Sequence, residues 1–260
     1  MKLGCFGFVR HIPLIQQAGF DCAELDIMEI AGMDRRQLSD LTSTTRDSGL
    51  GFWSFSGFMP LTERMHNADF DMHRWFDHAE ASAERTARLG ARLWTFGAGK
   101  CRSIPENYPD VEGARARVAE FVAGICDRIA PFGLTLVVEP LGPANSNYLN
   151  LIGEAVAFVR ALGKPNCKSM CDLRHMHKLD ESLSDIVTYR DDIVHAHIDY
   201  PRGMERYFPR VGDGFDYSPY IETLKEAEYQ GMLVVEATAY SDFLSDARSC
   251  VTHLEGLGAR

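Results

Sequence analysis

Four residues with metal-ligating side chains close four apolar runs in the second half of the chain: Glu139 in LVVEPL, Asp172 in SMCDLRH, His197 in IVHAHID and Glu236 in LVVEAT. Each run reads as a strand, and each is followed by a helix-like segment. If these strands are parallel neighbours, the four side chains meet at one rim. Three carboxylates and one imidazole form an oxygen-rich, singly nitrogen-ligated set. That set suits a hard or borderline divalent cation and proton-transfer chemistry. A carboxylate at the end of a VVE run is partly desolvated, which is costly unless it is paired or bound to a cation. Taken singly, Glu139 or Glu236 also fits a solvated residue just beyond its strand. The same placement in all four runs favours the metal reading.

Other candidates lie close by in sequence. His175 completes a D-x-x-H pair with Asp172 and is placed, in the following loop, to hydrogen-bond a substrate oxygen; His177 competes for that role. His195 and His197 are two apart on one strand, so both face the same side, with His195 one layer deeper as a supporting residue. Asp199 is positioned to orient His197 or to meet substrate, and Glu24, near the end of an earlier strand, supports the same rim. The loop PRGMERYFPRVGDG offers Arg202, Arg206 and Arg210. Lys100 and Arg102, after the fourth strand, are weaker candidates of the same kind. Phe6, Trp53, Phe55, Phe58, Trp94 and Phe96 stand near strand ends, where an aromatic ring can stack on one face of a bound ligand. Trp94 is taken as the representative substrate contact.

Short apolar runs alternate with longer amphipathic ones along the whole chain. Strands are expected at 2–7, 21–26, 51–56, 92–96, 134–139, 167–172, 193–198 and 232–236. Helices are expected near 12–18, 34–48, 70–89, 111–130, 153–162, 180–189, 217–228 and 242–257, with Trp75, Ala79, Ala83 and Ala87 marking the inner face of the third. Such alternation implies a parallel sheet with right-handed crossovers. Eight units in 260 residues fit a closed (β/α)8 TIM barrel, a single domain over 1–260, better than an open doubly wound sheet. No G-x-G-x-x-G follows the first strand, so the dinucleotide fingerprint is missing. The barrel gathers strand C-termini, and hence the quartet, on one face.

Bulk properties narrow the function classes. The formal charge is −10, which argues against a nucleic-acid surface. Seven cysteines, none in C-x-x-C, read as buried free thiols in a reducing cytosol. No apolar leader follows Lys2, and no run approaches the roughly 18 apolar residues of a spanning helix, so a cytoplasmic protein without membrane partners is expected.

The ordered series VVEPL, CDLRH, HAHID, GDGFDYSPYIETLKEAEYQG and LVVEAT resembles the xylose-isomerase-like TIM barrel superfamily of sugar (phosphate) isomerases and epimerases, over essentially the full length. The resemblance implies one divalent ion (Mn²⁺, Mg²⁺, Co²⁺ or Zn²⁺) held by Glu139, Asp172, His197 and Glu236, with His175 on the substrate. It implies a small carbohydrate substrate and a homodimer or homotetramer. In the ketose 3-epimerase branch the two glutamates are also the acid/base pair: one removes the proton next to the carbonyl to give a metal-stabilised enediolate, and the other returns a proton to the opposite face. Two positions depart from that branch. Its second glutamate, six residues after the first ligand, is Asn145 here. Its arginine, six residues after the histidine, is Gly203, with Arg202 one position earlier. Asn145 and Arg202 are therefore the expected substrate-binding counterparts. The endonuclease branch needs additional histidines after the third and fourth strands, where this chain has FWSFSGF and LWTFGAG. A dehydratase of inosose- or dehydroshikimate-like cyclic ketones shares the metal set and the first proton abstraction. A non-catalytic sugar-binding barrel or partner subunit is the reading from outside enzymology.

Overall fold

The computed structural model describes residues 1–260. β1 (Lys2–Gly7) leads to α1 (Ile12–Ala18). β2 (Cys22–Asp26) leads to a short α2 (Ile27–Ala31) and α3 (Arg35–Ser48), and β3 (Gly51–Ser56) leads to α4 (Met72–Leu89). β4 (Leu93–Phe96) is followed by α5 (Gly99–Arg102) and α6 (Val111–Ile129), and β5 (Thr135–Val138) by α7 (Ile152–Leu162). β6 (Cys167–Asp172) precedes α8 (Leu173–Lys178) and α9 (Ser184–Thr188). β7 (Ile193–Ile198) precedes α10 (Ser218–Glu226), and β8 (Met232–Val235) precedes α11 (Phe243–Gly256). Every strand pairs in parallel with the next and β8 pairs with β1, so the sheet closes into a (β/α)8 barrel. One cluster of 65 buried residues joins the outer barrel face to the helices, so the two layers share one core. No helix is long and apolar enough to cross a membrane.

Strand parity decides what faces the axis. On β2, Cys22 and Glu24 point inward with Asp26 above them; on β7, His195 and His197 do so. Outward residues pack on helices. Helix α4 buries Trp75, Ala79, Ser82, Ala83, Thr86 and Leu89, and Gly90 ends it in the left-handed region (φ 104°), where a side chain would be strained. Ala87, expected on that inner face, is only half-buried and Thr86 takes its place. A strict four-residue step drifts off a face that repeats every 3.6 residues.

Two further expectations shift. The helix expected over 180–189 shortens to Ser184–Thr188, because Asp180 adopts a left-handed conformation (φ 52°) that breaks the turn leading into it. A separate helix, α8, starts directly at β6, capped by the Asp172 carboxylate, which accepts the His175 N–H at 3.1 Å. His175 is thus helical, not in a loop.

Trp94 is corrected by the same parity. It points outward from β4, is fully buried, and donates its indole N–H to Thr86 Oγ1 at 3.1 Å, while Thr95 faces the barrel interior. It holds α4 to the barrel and does not reach the rim. Trp94→Ala is expected to cost about 3–5 kcal/mol in urea unfolding. A loss within about 0.5 kcal/mol, the range of exposed positions, would contradict this placement.

Candidate active site

Four consecutive strands, β5 to β8, each deliver one of the four predicted residues to the same rim. Asp172, the last residue of β6, and His197, the penultimate residue of β7, stand directly opposite each other in register. Glu139 and Glu236 stand one residue past β5 and β8, but their N–H groups still donate to Phe96 O (3.2 Å) and Ile198 O (3.0 Å), so the ladder continues to aim them inward. The floor beside Glu139 is cut close: a Cβ on Gly97 would lie 2.5 Å from Glu139 Oε2, so a larger residue there would push the carboxylate out of its present position.

His197 Nδ1 is the centre of the group. It lies 3.7 Å from Glu139 Oε1, 3.8 Å from Asp172 Oδ2 and 3.4 Å from Glu236 Oε2. One ligand atom from each of the four falls within 4.8 Å of all the others. His197 Nδ1 and Asp172 Oδ2 are buried and have no hydrogen-bond partner. Buried polar atoms are rarely left so, and two of them converging with two further carboxylates fit the donor set of a divalent cation.

The field at this centre is strongly negative. Burial pushes the Asp172 carboxyl up, yet His175 and Arg206 outweigh it and hold it well below the usual carboxylate range. Glu236 is likewise lowered against burial, by Arg206 and His197. Burial opposes a charge on His197, but Glu24, Glu139 and Glu236 together raise it well above an ordinary histidine. A field that attracts a proton to His197 also attracts a cation, which must displace that proton to bind.

Arg206 is the arginine that reaches the site. Its guanidinium donates to Glu236 and to Asp199 Oδ2 (3.0 Å), lies 3.6 Å from Asp172 Oδ2 and faces His175 Nε2 at 3.3 Å. Arg202, expected there, is exposed and rests over the Phe215 ring at 5.7 Å. The chain turns at Gly203 (φ 73°), and the return stroke brings Arg206 to the rim. His175 is fully buried, 3.7 Å from Glu139 Oε1 and 3.8 Å from Asp172 Oδ2.

Two other buried arginines hold this geometry: Arg174, which no sequence signal marks, and Arg102, a weak substrate candidate from the sequence. Arg174 Nε donates to both oxygens of Asp199 (2.7 and 2.8 Å), and its other nitrogens reach the carbonyls of Tyr200, Gly203 and Glu205. It pins the loop that carries Arg206. Asp199 is therefore taken up by arginines and does not orient His197. Arg102, a weak candidate for substrate contact, is instead buried and donates to the carbonyls of Glu139 (2.6 Å), Tyr148 and Leu149, tying down the loop beyond β5. Burial lowers its guanidinium to about 10.

Below the quartet, Glu24 is fully buried. Ser54 donates to it at 2.5 Å, His195 Nε2 lies 2.9 Å away and His197 Nε2 3.2 Å away. Burial pushes Glu24 up, but the two histidines overcome this and hold it well below the usual range.

A cavity of about 230 Å³ opens above the quartet. Glu139, His197, Arg206 and Glu236 form its polar side, and Phe6, Phe58, Met59, Leu61, Phe96 and Leu141 its apolar side. Asn145 is exposed at its mouth. Of the rim aromatics, Phe6, Phe58 and Phe96 line it, whereas Trp53, Phe55 and Trp94 do not. The volume falls below the about 300–1,000 Å³ of drug-sized pockets, which limits the ligand to a small molecule.

The family described as a xylose isomerase-like TIM barrel matches residues 12–254, and the chain belongs to it. D-psicose 3-epimerase of Agrobacterium fabrum is 28% identical over 185 residues, covering 69% of this chain and 63% of that protein. Ketose 3-epimerase of Arthrobacter globiformis is 23% identical over 257 residues, covering 93% of this chain and 85% of that one. A crystal structure of D-psicose 3-epimerase in the presence of D-fructose superposes with a TM-score of 0.86 over 100% of both chains, at 20% identity, and so shares the fold.

Arg174→Met is expected to destabilise the protein by about 3–5 kcal/mol, because it leaves a buried carboxylate without its main partner. An unchanged urea midpoint would show that Arg174 does not hold the loop.

Proposed function

We propose that this member of the xylose isomerase-like TIM barrel family is a divalent-metal-dependent epimerase or isomerase of a small, unphosphorylated ketose. The observation that carries the reading is the convergence of Glu139, Asp172, His197 and Glu236, with the buried His197 Nδ1 and Asp172 Oδ2 unpartnered at its centre. The two curated relatives are ketose 3-epimerases, isomerase-class enzymes, and add weight to the substrate class.

Mn²⁺, Mg²⁺, Co²⁺ or Zn²⁺ held by the four residues would polarise the substrate carbonyl and stabilise the oxyanion that develops on proton removal. The protein's own groups do the rest. Glu139 and Glu236 are the outer members of the four-strand arc, one on either flank of the bound sugar. One takes the proton from the carbon next to the carbonyl, and the other supplies a proton to the opposite face of the resulting enediolate. Arg206 holds Glu236 ionised and ready to accept. His175 and Arg206 stand beside the same carboxylates and are placed to bind substrate oxygens. Phe6, which shares the inward parity of Glu24, offers its ring to the apolar face of the sugar and helps exclude water from the enediolate.

The charge balance argues against a phosphorylated substrate. Arg206 is the one lysine or arginine lining the cavity, and Asp199 and Glu236 already occupy it. A phosphate dianion would meet the acidic field with no free cation to receive it.

The test is a panel of ketoses incubated with Mn²⁺-loaded protein in D₂O and read by NMR and mass. Deuterium should enter at the carbon next to the carbonyl, with an epimeric or isomeric product and no loss of water. Glu139→Gln and Glu236→Gln should each lower kcat/KM by about 100- to 10,000-fold. No exchange with any ketose, or an enone product formed by loss of water from a cyclic ketone, would overturn the proposal.

A further inference from the structure

We propose that Glu24 is the positioning residue that selects which nitrogen of His197 is offered to the cation. The inference rests on the metal reading of the quartet and assigns a task to a residue outside the cavity. Glu24 and His195 do not line the cavity, and both are completely buried.

The argument is one of donors and acceptors. An ionised carboxylate only accepts. Glu24 Oε2 accepts the Ser54 hydroxyl at 2.5 Å and faces His195 Nε2 at 2.9 Å and His197 Nε2 at 3.4 Å, while Oε1 lies 3.2 Å from the same His197 nitrogen without forming a hydrogen bond. No lysine or arginine bonds to Glu24; its partners are these three side chains. Both imidazoles must therefore present an Nε2–H to it. For His197 this places the proton on Nε2 and leaves the lone pair on Nδ1, the atom that points at Glu139, Asp172 and Glu236. With the proton on Nδ1 instead, Nε2 and Glu24 would set two acceptors against each other in a dry interior, and the ligand atom would be blocked. Glu24 also fixes the ring plane. The His195 and His197 rings meet edge to face at 4.8 Å, so His195 braces one side of His197 while Glu24 holds its far edge.

Glu24, His195 and His197 could instead be read as a second cation site, since their ligand atoms also cluster. The 2.5 Å Ser54 contact and the 2.9 Å His195 contact are hydrogen-bond separations onto a single oxygen, and they favour the network.

The experiment measures Mn²⁺ binding calorimetrically on the full chain, with Glu24→Gln and Ser54→Ala as variants. The isosteric Glu24→Gln should weaken Mn²⁺ about 10- to 100-fold, the size seen for residues that orient metal-bound histidines. Ser54→Ala leaves the Glu24 carboxylate facing His197 and should bind Mn²⁺ close to wild type. Should Glu24→Gln fail to fold, ¹⁵N spectra of wild-type histidines loaded with Zn²⁺ still decide the matter: His197 should carry its proton on Nε2 and the metal on Nδ1. An unchanged Mn²⁺ affinity in folded Glu24→Gln, metal on Nε2, or two ions per chain would each overturn the inference. A wild-type chain that binds no divalent ion at one equivalent would instead overturn the quartet reading itself.

Discussion

The dominant constraint in this structure is the crowding of carboxylates inside a barrel end that has little water to solvate them. Glu24, Glu139, Asp172, Asp199 and Glu236 all face a small volume around His197 or Arg206. Placing like charges this close, largely out of water, is unfavourable unless cations or hydrogen-bond donors compensate them. Much of what is distinctive in this chain supplies that compensation. Arg206 sits among three of the carboxylates, Arg174 takes both oxygens of Asp199, and two histidines and a serine converge on Glu24 Oε2.

The compensation is graded with depth. Beneath the rim it comes from fixed protein partners, to Glu24 Oε2 and to both Asp199 oxygens, although Glu24 Oε1 makes no hydrogen bond. At the rim it is incomplete, with one Asp172 oxygen and one His197 nitrogen left without a hydrogen bond. The site therefore combines a base braced by fixed protein partners with an upper surface whose donor atoms converge unpaired, which is the arrangement a cation-dependent catalyst needs if its ligands are to be in place before the ion arrives. The apolar wall sharpens the same contrast by removing competing water from one side of the cavity.

The quartet was legible in the sequence because it depends only on topology. Any residue ending an inward-facing run on a parallel barrel strand must arrive at the same rim, so Glu139, Asp172, His197 and Glu236 could be paired without knowing any loop. The eight strand–helix alternations were legible for the same reason. What did not read through depends on local backbone path. Choosing between Arg202 and Arg206 requires the turn at Gly203, and spacing alone points to the wrong arginine. Trp94 was misplaced because one step of parity in a four-residue strand sends a side chain to the opposite layer. Arg174 and Arg102 carry no motif: a lone arginine after a strand normally reads as solvated, and only the carbonyls that converge on each explain its burial. Ser54 is equally silent in sequence, since its role arises from facing Glu24 across the β2–β3 pair.

The central claim is that these four strand-end residues hold one divalent ion. Anomalous diffraction from crystals grown with Mn²⁺ tests it most directly. The account predicts a single strong peak bonded to the carboxylates of Glu139, Asp172 and Glu236 and to Nδ1 of His197. A map without a peak among these residues, with Mn²⁺ present only on exposed surface carboxylates, would contradict it.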